Sequence, residues 1–414
     1  MHDFEIKEAL VLCAGKGKEM GPLTKGVPKH LFSLLGKTVF ERILENLKLA
    51  GIERVAVVVA KDDEKTPLFA QEVAQRLGMS VESVEQNEKE EVLGAVLSAK
   101  RIIEEWTENR SFVLAYGDIV ASSGFYRSLL VNALETSYPT LSAVLQKDTE
   151  TFGVIKLGSD GFVERIIEKP TRLDETLGGY VLAGAFVLPT AFFELALSSE
   201  DFITALNALA RSHSLSVAIW NGAWADLGYP WDILNAAKRL LEEVKSSSIS
   251  SKAKISPTAI IEPPVIIEEG AVIDHNAVVK GPVYIGRNAY VGTGALIHSY
   301  ASIEEGVTIG AYSEVNGSVL QPYSSIGRGC FVGNTVAGYR AIFEPHVVTL
   351  NLLTTENEPT RLEPVIKNGK RLTKIGSVVG NRARIGANTV LQPLAFVESG
   401  AIIPPNSVIQ GAYR

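Results

Sequence analysis

The first stretch whose residue types could do chemistry runs from Ala9 to Leu31, ALVLCAGKGKEMGPLTKGVPKHL. An apolar run ends in a turn holding Gly15 and Gly17, and glycine lets backbone N–H groups approach and converge on phosphate oxygens. Pro22, Leu23, Thr24 and Pro28 make the continuation stiff and extended, and it ends in Lys29, a cation able to reach those phosphates. An ordinary tight turn would use the same glycines only to reverse the chain. Lys16 and Lys18 flank the turn beside an acid, Glu19. A carboxylate within about 4 to 6 Å of a polyphosphate is repulsive unless a metal bridges the two or the side chain turns away.

The elements that must position this turn read as strands alternating with helices. From Glu8 to about Leu241, ALVLCAG, TVFERILENLKLAG, RVAVVVA and PLFAQEVAQRLG follow one another. That alternation implies a Rossmann-like α/β domain, a mostly parallel sheet with helices on both faces. Ligands of such sheets gather at the carboxyl ends of strands, and the glycine turn follows one. The serine-rich EEVKSSSISSKAK predicts a helix end and a linker over 242–254. Beyond it the rhythm changes to six: Ile255, Ile261, Ile267, Ile273, Val279, Ile285, Val291, Ile297, Ile303, Ile309 and Val315 recur without a slip. Such a repeat places one aliphatic inward per flat face, three faces making one coil of a parallel β-helix. Leu320, Ile326 and Val332 continue it in shifted phase, and Val379, Ile385, Leu391, Val397, Ile403 and Ile409 resume it. The interval 339–377 breaks the period and reads as an inserted excursion. The predicted domains are 1–241 and 255–414, joined by the linker.

A chain of 414 residues exceeds one ordinary core, and 46% hydrophobic with 21% charged residues is a soluble globular balance. No apolar run approaches the ~18 residues that suggest a membrane span, and MHDFEIKEAL does not resemble an export leader. The expectation is a cytoplasmic protein without membrane partners. A net charge of −7 argues against a broad cationic surface for nucleic acid. Cys13 and Cys330, far apart and each inside an expected strand, predict buried free thiols rather than a disulfide or a zinc site.

LCAGKGKEMGPLTKGVPKHLFSLLGKTVFERIL resembles the opening of the sugar-1-phosphate nucleotidylyltransferases, L-A-G-x-G-T-R-M-x-P-L-T followed by P-K and G-K-P. Further matches follow in order: LAYGDIV with Asp118, FGVIKL with Gly153, IIEKP with Glu168 and Lys169, LAGAFVL with Gly184, and WADLGYPWDIL with Asp226. The hexapeptide half makes the chain similar to two-domain members, among them bifunctional uridylyltransferase/acetyltransferases and archaeal relatives, whose β-helix is left-handed. The resemblance implies attack of a sugar-phosphate oxygen on the α-phosphorus of a nucleoside triphosphate, with release of pyrophosphate. It assigns nucleotide binding to Ala14, Gly15, Gly17, Gln86 and Gly94, catalysis to Lys29 and Asp118, and Mg²⁺ to Asp118 and Asp226. It further implies that Glu168 accepts hydrogen bonds from sugar hydroxyls, that Lys169 pairs with the sugar phosphate, and that Gly153 and Gly184 leave room for the ring. The partners implied are a nucleoside triphosphate and a sugar 1-phosphate, with self-association in trimers or multiples of three through the β-helix.

Several positions depart from the family pattern. Glu19 stands where the family has an arginine that contacts the triphosphate. EQNEKEEVLG keeps Gln86 but crowds the base-recognition loop with Glu88, Glu90 and Glu91, and Leu182 replaces an asparagine that usually contacts the sugar. In the β-helix, Arg328 replaces the histidine that serves as general base in acetyltransferase members, while His298 and Asn316 replace an arginine and a lysine of that site. His346 and Asn351 are the candidate substitutes. The leading reading is a nucleotidylyltransferase making a UDP- or dTDP-hexose. The alternative is a weakly active or inactive regulatory paralogue that binds nucleotide sugars beside a catalytic partner, and acyl transfer by the β-helix comes third.

Overall fold

The apolar run ahead of the glycine turn becomes β1 (Glu8–Leu12), with Ala9, Leu10 and Val11 fully buried. In this computed structural model, residues 6–87, 91–107, 111–147, 149–170, 178–352, 365–367, 370–372 and 374–414 are described. They form two compact units, one of the chain up to Lys16 with Val39–Trp224, the other of Gly17–Thr38 with Ala225–Arg414. These divisions differ from 1–241 and 255–414: the segment after the glycine turn and the last helix before the repeats both fall with the β-helix. No helix among the described residues is long and apolar enough to cross a membrane.

In the first unit β1 pairs in parallel with β2 (Arg54–Val59), and β2 with β3 (Ser80–Glu85). Helix α1 (Val39–Leu49) precedes β2, α2 (Lys65–Leu77) joins β2 to β3, and α3 (Glu91–Ser98) follows β3. On its other side β1 pairs with β4 (Ser111–Tyr116), also in parallel. Runs such as RVAVVV and SFVLAY suit strands covered on both faces. Past β4 the sheet continues antiparallel. It includes β5 (Thr140–Leu145), β6 (Gly153–Leu157), β7 (Val163–Glu168), β8 (Tyr180–Pro189) and β9 (Ser216–Ile219). Strand β8 runs against β4, β5 and β6; β7 runs against β6, and β9 runs parallel to β5.

Aromatic rings fill the core beneath, Phe112 stacked on Phe193 at 5.3 Å and Tyr116 tilted against Phe186 and Phe202. Truncating such a ring to alanine costs about 3–5 kcal/mol. The buried Glu8 carboxylate is matched by Arg54, whose Nη2 lies 2.6 Å from it and also donates to the Trp106 carbonyl at 2.8 Å.

Among the described residues, the second unit is a parallel β-helix of three sheets with nine, eight and eight strands. Its aliphatic column is buried from Ile267 to Ile403, and a second column, mostly alanine (Ala271, Ala277, Ala289, Ala295 and Ala301) with Val283 and Val307, fills the corners. The shift at Leu320 is the loss of one residue from a turn, since Leu320 stays in register with Ile303. The repeat also starts earlier and breaks later than its sequence suggests. Ser248–Ile249, inside the expected linker, already pairs with Ile266–Ile267. Val336–Ala337, Ile342–Phe343 and Val348–Thr349 form a regular coil, so 339–349 belongs to the β-helix and the excursion begins after Thr349. Ala337, Phe343 and Thr349 keep the six-residue spacing but are too varied in type to announce it. Thr349 is tolerated inside because its Oγ1 accepts from Gly333 N–H and Thr335 Oγ1, each at 2.9 Å.

At one corner bulky and glycine residues alternate in successive coils, Gly294, Tyr312, Gly329 and His346. Ring edges of Tyr312, Tyr323 and His346 lie against Gly294, Gly306 and Gly329 of the preceding coil, where an added Cβ would come within 2.8, 2.5 and 2.6 Å of them. The first sheet is covered on its outer side: Tyr284, Ser302, Val319, Val336 and Val378 point outward yet are buried. The cover is helix α4 (Pro230–Glu242) together with the segment Gly17–Thr38.

Candidate functional site

Residues of the first unit gather at the carboxyl ends of β1 and β4. Leu12 pairs with Tyr116, Gly117 N–H donates to the Leu12 carbonyl at 2.9 Å, and a Cβ on Gly117 would lie 2.6 Å from Cys13 Sγ. Glycine is required there for the two strand ends to close up. That closure sets Asp118 beside Cys13 and the start of the turn, where Ala14 is buried and Gly15 exposed. Below them is the buried Tyr126, whose phenol is pushed above its ordinary range by burial first, then by the negative forms of Cys13 and Asp118. Asp118, half-buried, is thus close enough to this buried ring for its charge to be felt there.

Strand β3 ends one residue before Gln86, whose backbone N–H donates to Val59 and whose side-chain Nε2 donates to the Glu91 carbonyl at 3.1 Å. The expected base loop is helical from Glu91 onward, and Gly94 is buried within α3, its carbonyl accepting from Ser98 Oγ at 2.8 Å. Glu88 and Glu90 lie outside the described residues.

The sugar-phosphate candidates meet on the antiparallel strands. Gly153 pairs with Glu168, and a Cβ at Gly153 would lie 3.2 Å from Glu168 Oε2 and 2.9 Å from Leu182 Cδ1. Glu168 and Leu182 thus border one patch of bare backbone. Lys169 Nζ lies 3.6 Å from Glu168 Oε1, both side chains exposed. Gly184, at φ 80 in the irregular part of β8, would strike Ile119 at 2.7 Å and Tyr116 at 3.1 Å if it carried a Cβ. Sequence reasoning missed the wall of this patch: Trp224 Nε1 donates to the Ala183 carbonyl at 3.0 Å and its ring lies 5.8 Å from Phe152. Trp224 precedes Asp226 in WADLG, which is the signal that was available.

Gly17, Lys29 and Asp226 belong to the second unit. Gly17 adopts φ 58, ψ 33, its carbonyl accepts from Thr24 Oγ1 at 2.9 Å, and a Cβ there would lie 3.1 Å from Thr24 Cγ2 and in ordinary contact with the Lys29 stem at 3.6 Å. Lys29 Nζ donates to the Leu227 carbonyl at 3.2 Å, next in sequence to Asp226. Asp226 follows from a strand, Trp224–Asp226, and precedes α4, whose first turn is fixed by Asp232 Oδ2 accepting from Gly228 and Tyr229 N–H at 3.1 and 2.7 Å. Glu19 is exposed, as are Lys16 and Lys18. Cys13 and Cys330 are buried free thiols.

On the β-helix, His298 and Asn316 occupy equivalent places in successive coils and share Glu314 Oε1, at 3.2 and 3.0 Å. Asn351 donates to Asn334 Oδ1 at 2.8 Å and His346 lies over Gly329. Arg328 is exposed.

A family model described as nucleotidyl transferase matches residues 8–243, and a bacterial transferase hexapeptide (six repeats) model matches residues 264–299. A bifunctional protein GlmU of Methanococcus maripaludis (strain C5) is 30% identical over 410 residues, covering 97% of this chain and 94% of that protein. A bifunctional sugar-1-phosphate nucleotidylyltransferase/acetyltransferase of Sulfurisphaera tokodaii is 27% identical over 416 residues, covering 97% of each chain. A solved UTP-bound UGPase from Acinetobacter baumannii matches with a TM-score of 0.50 at 20% identity, over 58% of this chain and 95% of that one, a likeness of fold.

Proposed function

Since the chain belongs to the nucleotidyl transferase family, we propose that it joins a nucleoside triphosphate to a sugar 1-phosphate, forming a nucleotide sugar of the UDP- or dTDP-hexose type. The observation that carries this reading is the assembly at the ends of β1 and β4. Gly15 is exposed just past the end of β1, and Asp118 follows Gly117, whose close approach to Cys13 brings the two strand ends together. A phosphate oxygen of the sugar 1-phosphate attacks the α-phosphorus. The bond from that phosphorus to the bridging oxygen breaks, and pyrophosphate leaves with the electron pair.

This chemistry demands positioning and charge neutralisation more than covalent help. Lys29, its stem lodged against Gly17, neutralises phosphate charge. Glu168 accepts from sugar hydroxyls over the bare backbone of Gly153, and Lys169 faces the sugar phosphate.

The metal in this proposal is Mg²⁺, a small hard ion suited to carboxylate and phosphate oxygens. Among the described residues no group of three or more His, Cys, Asp or Glu side chains is placed to hold a metal. Asp118 and Asp226 would hold it together with substrate phosphates and water, as the family resemblance implies. When bound it withdraws charge from the phosphates.

Pyrophosphate release, assayed across nucleoside triphosphates and hexose 1-phosphates with Mg²⁺ and then with EDTA, tests the proposal. Turnover abolished by EDTA and by Asp118→Asn or Asp226→Asn is expected. No turnover with any pair from well-folded protein refutes it.

The regulatory-paralogue reading draws on Leu182, which sets a methyl group beside Gly153 where a polar contact is expected. Tight nucleotide-sugar binding without turnover would establish it. The β-helix is given no acyl-transfer step, because His346 packs over Gly329 and Arg328 stands where a neutral base is needed. For self-association, the third sheet carries outward Ile260, Val278 and Leu296 on one side of Glu314 and Phe331, Val348, Val390 and Val408 on the other, with Ile260 and Val408 54% and 68% exposed. The family resemblance suggests trimers or multiples of three, to be read from sedimentation. The reaction is assigned to the cytoplasm.

A further inference from the structure

The segment Gly17–Thr38 has little regular structure of its own: two short 3₁₀ turns, Lys18–Leu23 and Lys29–Leu31, and a two-strand hairpin of Ser33–Leu34 with Lys37–Thr38. Its backbone groups need partners, since buried N–H and C=O groups are costly when left alone. The β-helix supplies them from side chains. Ser399 Oγ donates to the Pro22 carbonyl at 2.6 Å and Asn381 Nδ2 to the Leu23 carbonyl at 2.8 Å. Gln321 brackets Ser33, its Oε1 accepting from Ser33 N–H at 3.0 Å and its Nε2 donating to the Ser33 carbonyl at 2.8 Å. Glu304 accepts from Leu35 N–H and Gly36 N–H, each at 2.9 Å, and from Ser302 Oγ at 2.5 Å.

Two facts make this more than packing. All four side chains lie one or two residues after strands of the first sheet, at one corner of the coils, Glu304 and Gln321 in one neighbouring pair and Asn381 and Ser399 in another, with Gly338 at the coil between. Glu304 is 0% exposed, a position in which a carboxylate survives only with its donors in place. The anchors also fall on both sides of Lys29: Pro22 and Leu23 before it, Ser33 to Gly36 after it. The intervening loop is therefore fixed at both ends, which directs the Lys29 ammonium toward Leu227 and the strand end carrying Asp226.

We propose that Gln321, Asn381, Ser399 and Glu304 of the β-helix are positioning residues for Lys29, holding the phosphate-binding segment in its working shape. The proposal rests on the nucleotidyl-transfer reading for the role of Lys29 alone. The β-helix is then part of the phosphate site's support as well as a surface for assembly. Loss of one such bond lowers the population of the ordered loop and the affinity for a polyphosphate by about three- to ten-fold.

The test uses the full chain and tripolyphosphate with Mg²⁺, a probe independent of base and sugar. Binding is measured by calorimetry in Asn381→Ala, Gln321→Ala and Ser399→Ala, each also combined with Lys29→Ala, and amide exchange is followed over residues 32–38. The expected result is weaker binding and faster exchange at Ser33, Leu35 and Gly36 in Gln321→Ala. In the Lys29→Ala background the same substitutions should weaken binding no further. Ser399→Ala, which gives up the bond to Pro22 and the one its half-buried hydroxyl accepts from Asn381 N–H, keeps the test open if Gln321→Ala does not fold. Undiminished affinity in these variants overturns the positioning role alone, as does an equal further loss in the Lys29→Ala background, the mark of a merely structural effect. No binding by the unsubstituted chain overturns the phosphate role of Lys29 together with the inference built on it.

Discussion

Replacing Gly36 by alanine isolates a single steric contact in the β-helix unit. Gly36 has φ +76, and a Cβ there would lie 2.1 Å from the Tyr284 hydroxyl oxygen and 3.0 Å from its Cζ. Tyr284 is 3% exposed and has little freedom to retreat; its phenol is pushed up by burial and then by the charge of Glu304. Gly400 has the same φ, +76, with nothing within 4 Å of its would-be Cβ. Both substitutions therefore carry the left-handed backbone cost of about 1–2 kcal/mol, and only Gly36→Ala adds an overpacking cost of about 1–3 kcal/mol. The expected losses are about 2–5 kcal/mol for Gly36→Ala and about 1–2 kcal/mol for Gly400→Ala. Denaturant unfolding followed by circular dichroism reads the difference, fitted to the transition of this unit because a two-unit chain need not unfold in one step. Adding Tyr284→Phe removes the nearest atom and should recover most of the gap. Equal stability of Gly36→Ala and Gly400→Ala, or a gap that Tyr284→Phe leaves unchanged, would refute the reasoning.

Gly153→Ala pushes a methyl between Leu182 and Glu168 and should raise KM for the sugar phosphate on the order of ten-fold, with partial recovery in Gly153→Ala/Leu182→Ala; steady-state kinetics check it. Glu19→Arg, at an exposed position that needs no repacking, should raise turnover by about ten-fold if polyphosphate affinity limits it. The Glu344 carboxyl is held below its usual range by Arg384, then by the Ala387 N–H. Its depressed folded value means that its stabilising contribution is present above the unfolded value of about 4.3 and is lost as pH falls through the folded one. Arg384→Ala should thus destabilise more at pH 7 than at pH 3, as denaturant midpoints at the two pH values will read. Burial raises the Cys330 thiol, so it should stay unreactive toward disulfide reagents at pH 8 until the chain unfolds.

Periodicity made the architecture readable before any coordinates, because each aliphatic of the six-residue repeat is an inward position with one physical requirement. The same logic failed where the requirement was met differently. Thr349 satisfies its hydroxyl inside the core, and Phe343 puts a ring where the series has aliphatics, so neither looked like a member of the series. The alanine column at the corners was equally invisible, since alanine is common everywhere. At the site, motif order named Gly153, Glu168 and Gly184, and the strands do bring the first two together. The supports for the Gly17–Thr38 segment were illegible. Gln321 and Asn381 act on backbone nearly three hundred or more positions away, and no local spacing encodes a bond between a side chain and a distant carbonyl.

The rings set against glycines constrain remodelling of the coiled half. Where a ring edge meets a bare backbone in the level beneath, neighbouring levels are complementary rather than equivalent, as Gly294 with Tyr312 and Gly329 with His346 are. At that corner a single level cut out or duplicated would stack ring on ring or leave glycine facing glycine. Lengthening or shortening this half by design should therefore proceed two levels at a time.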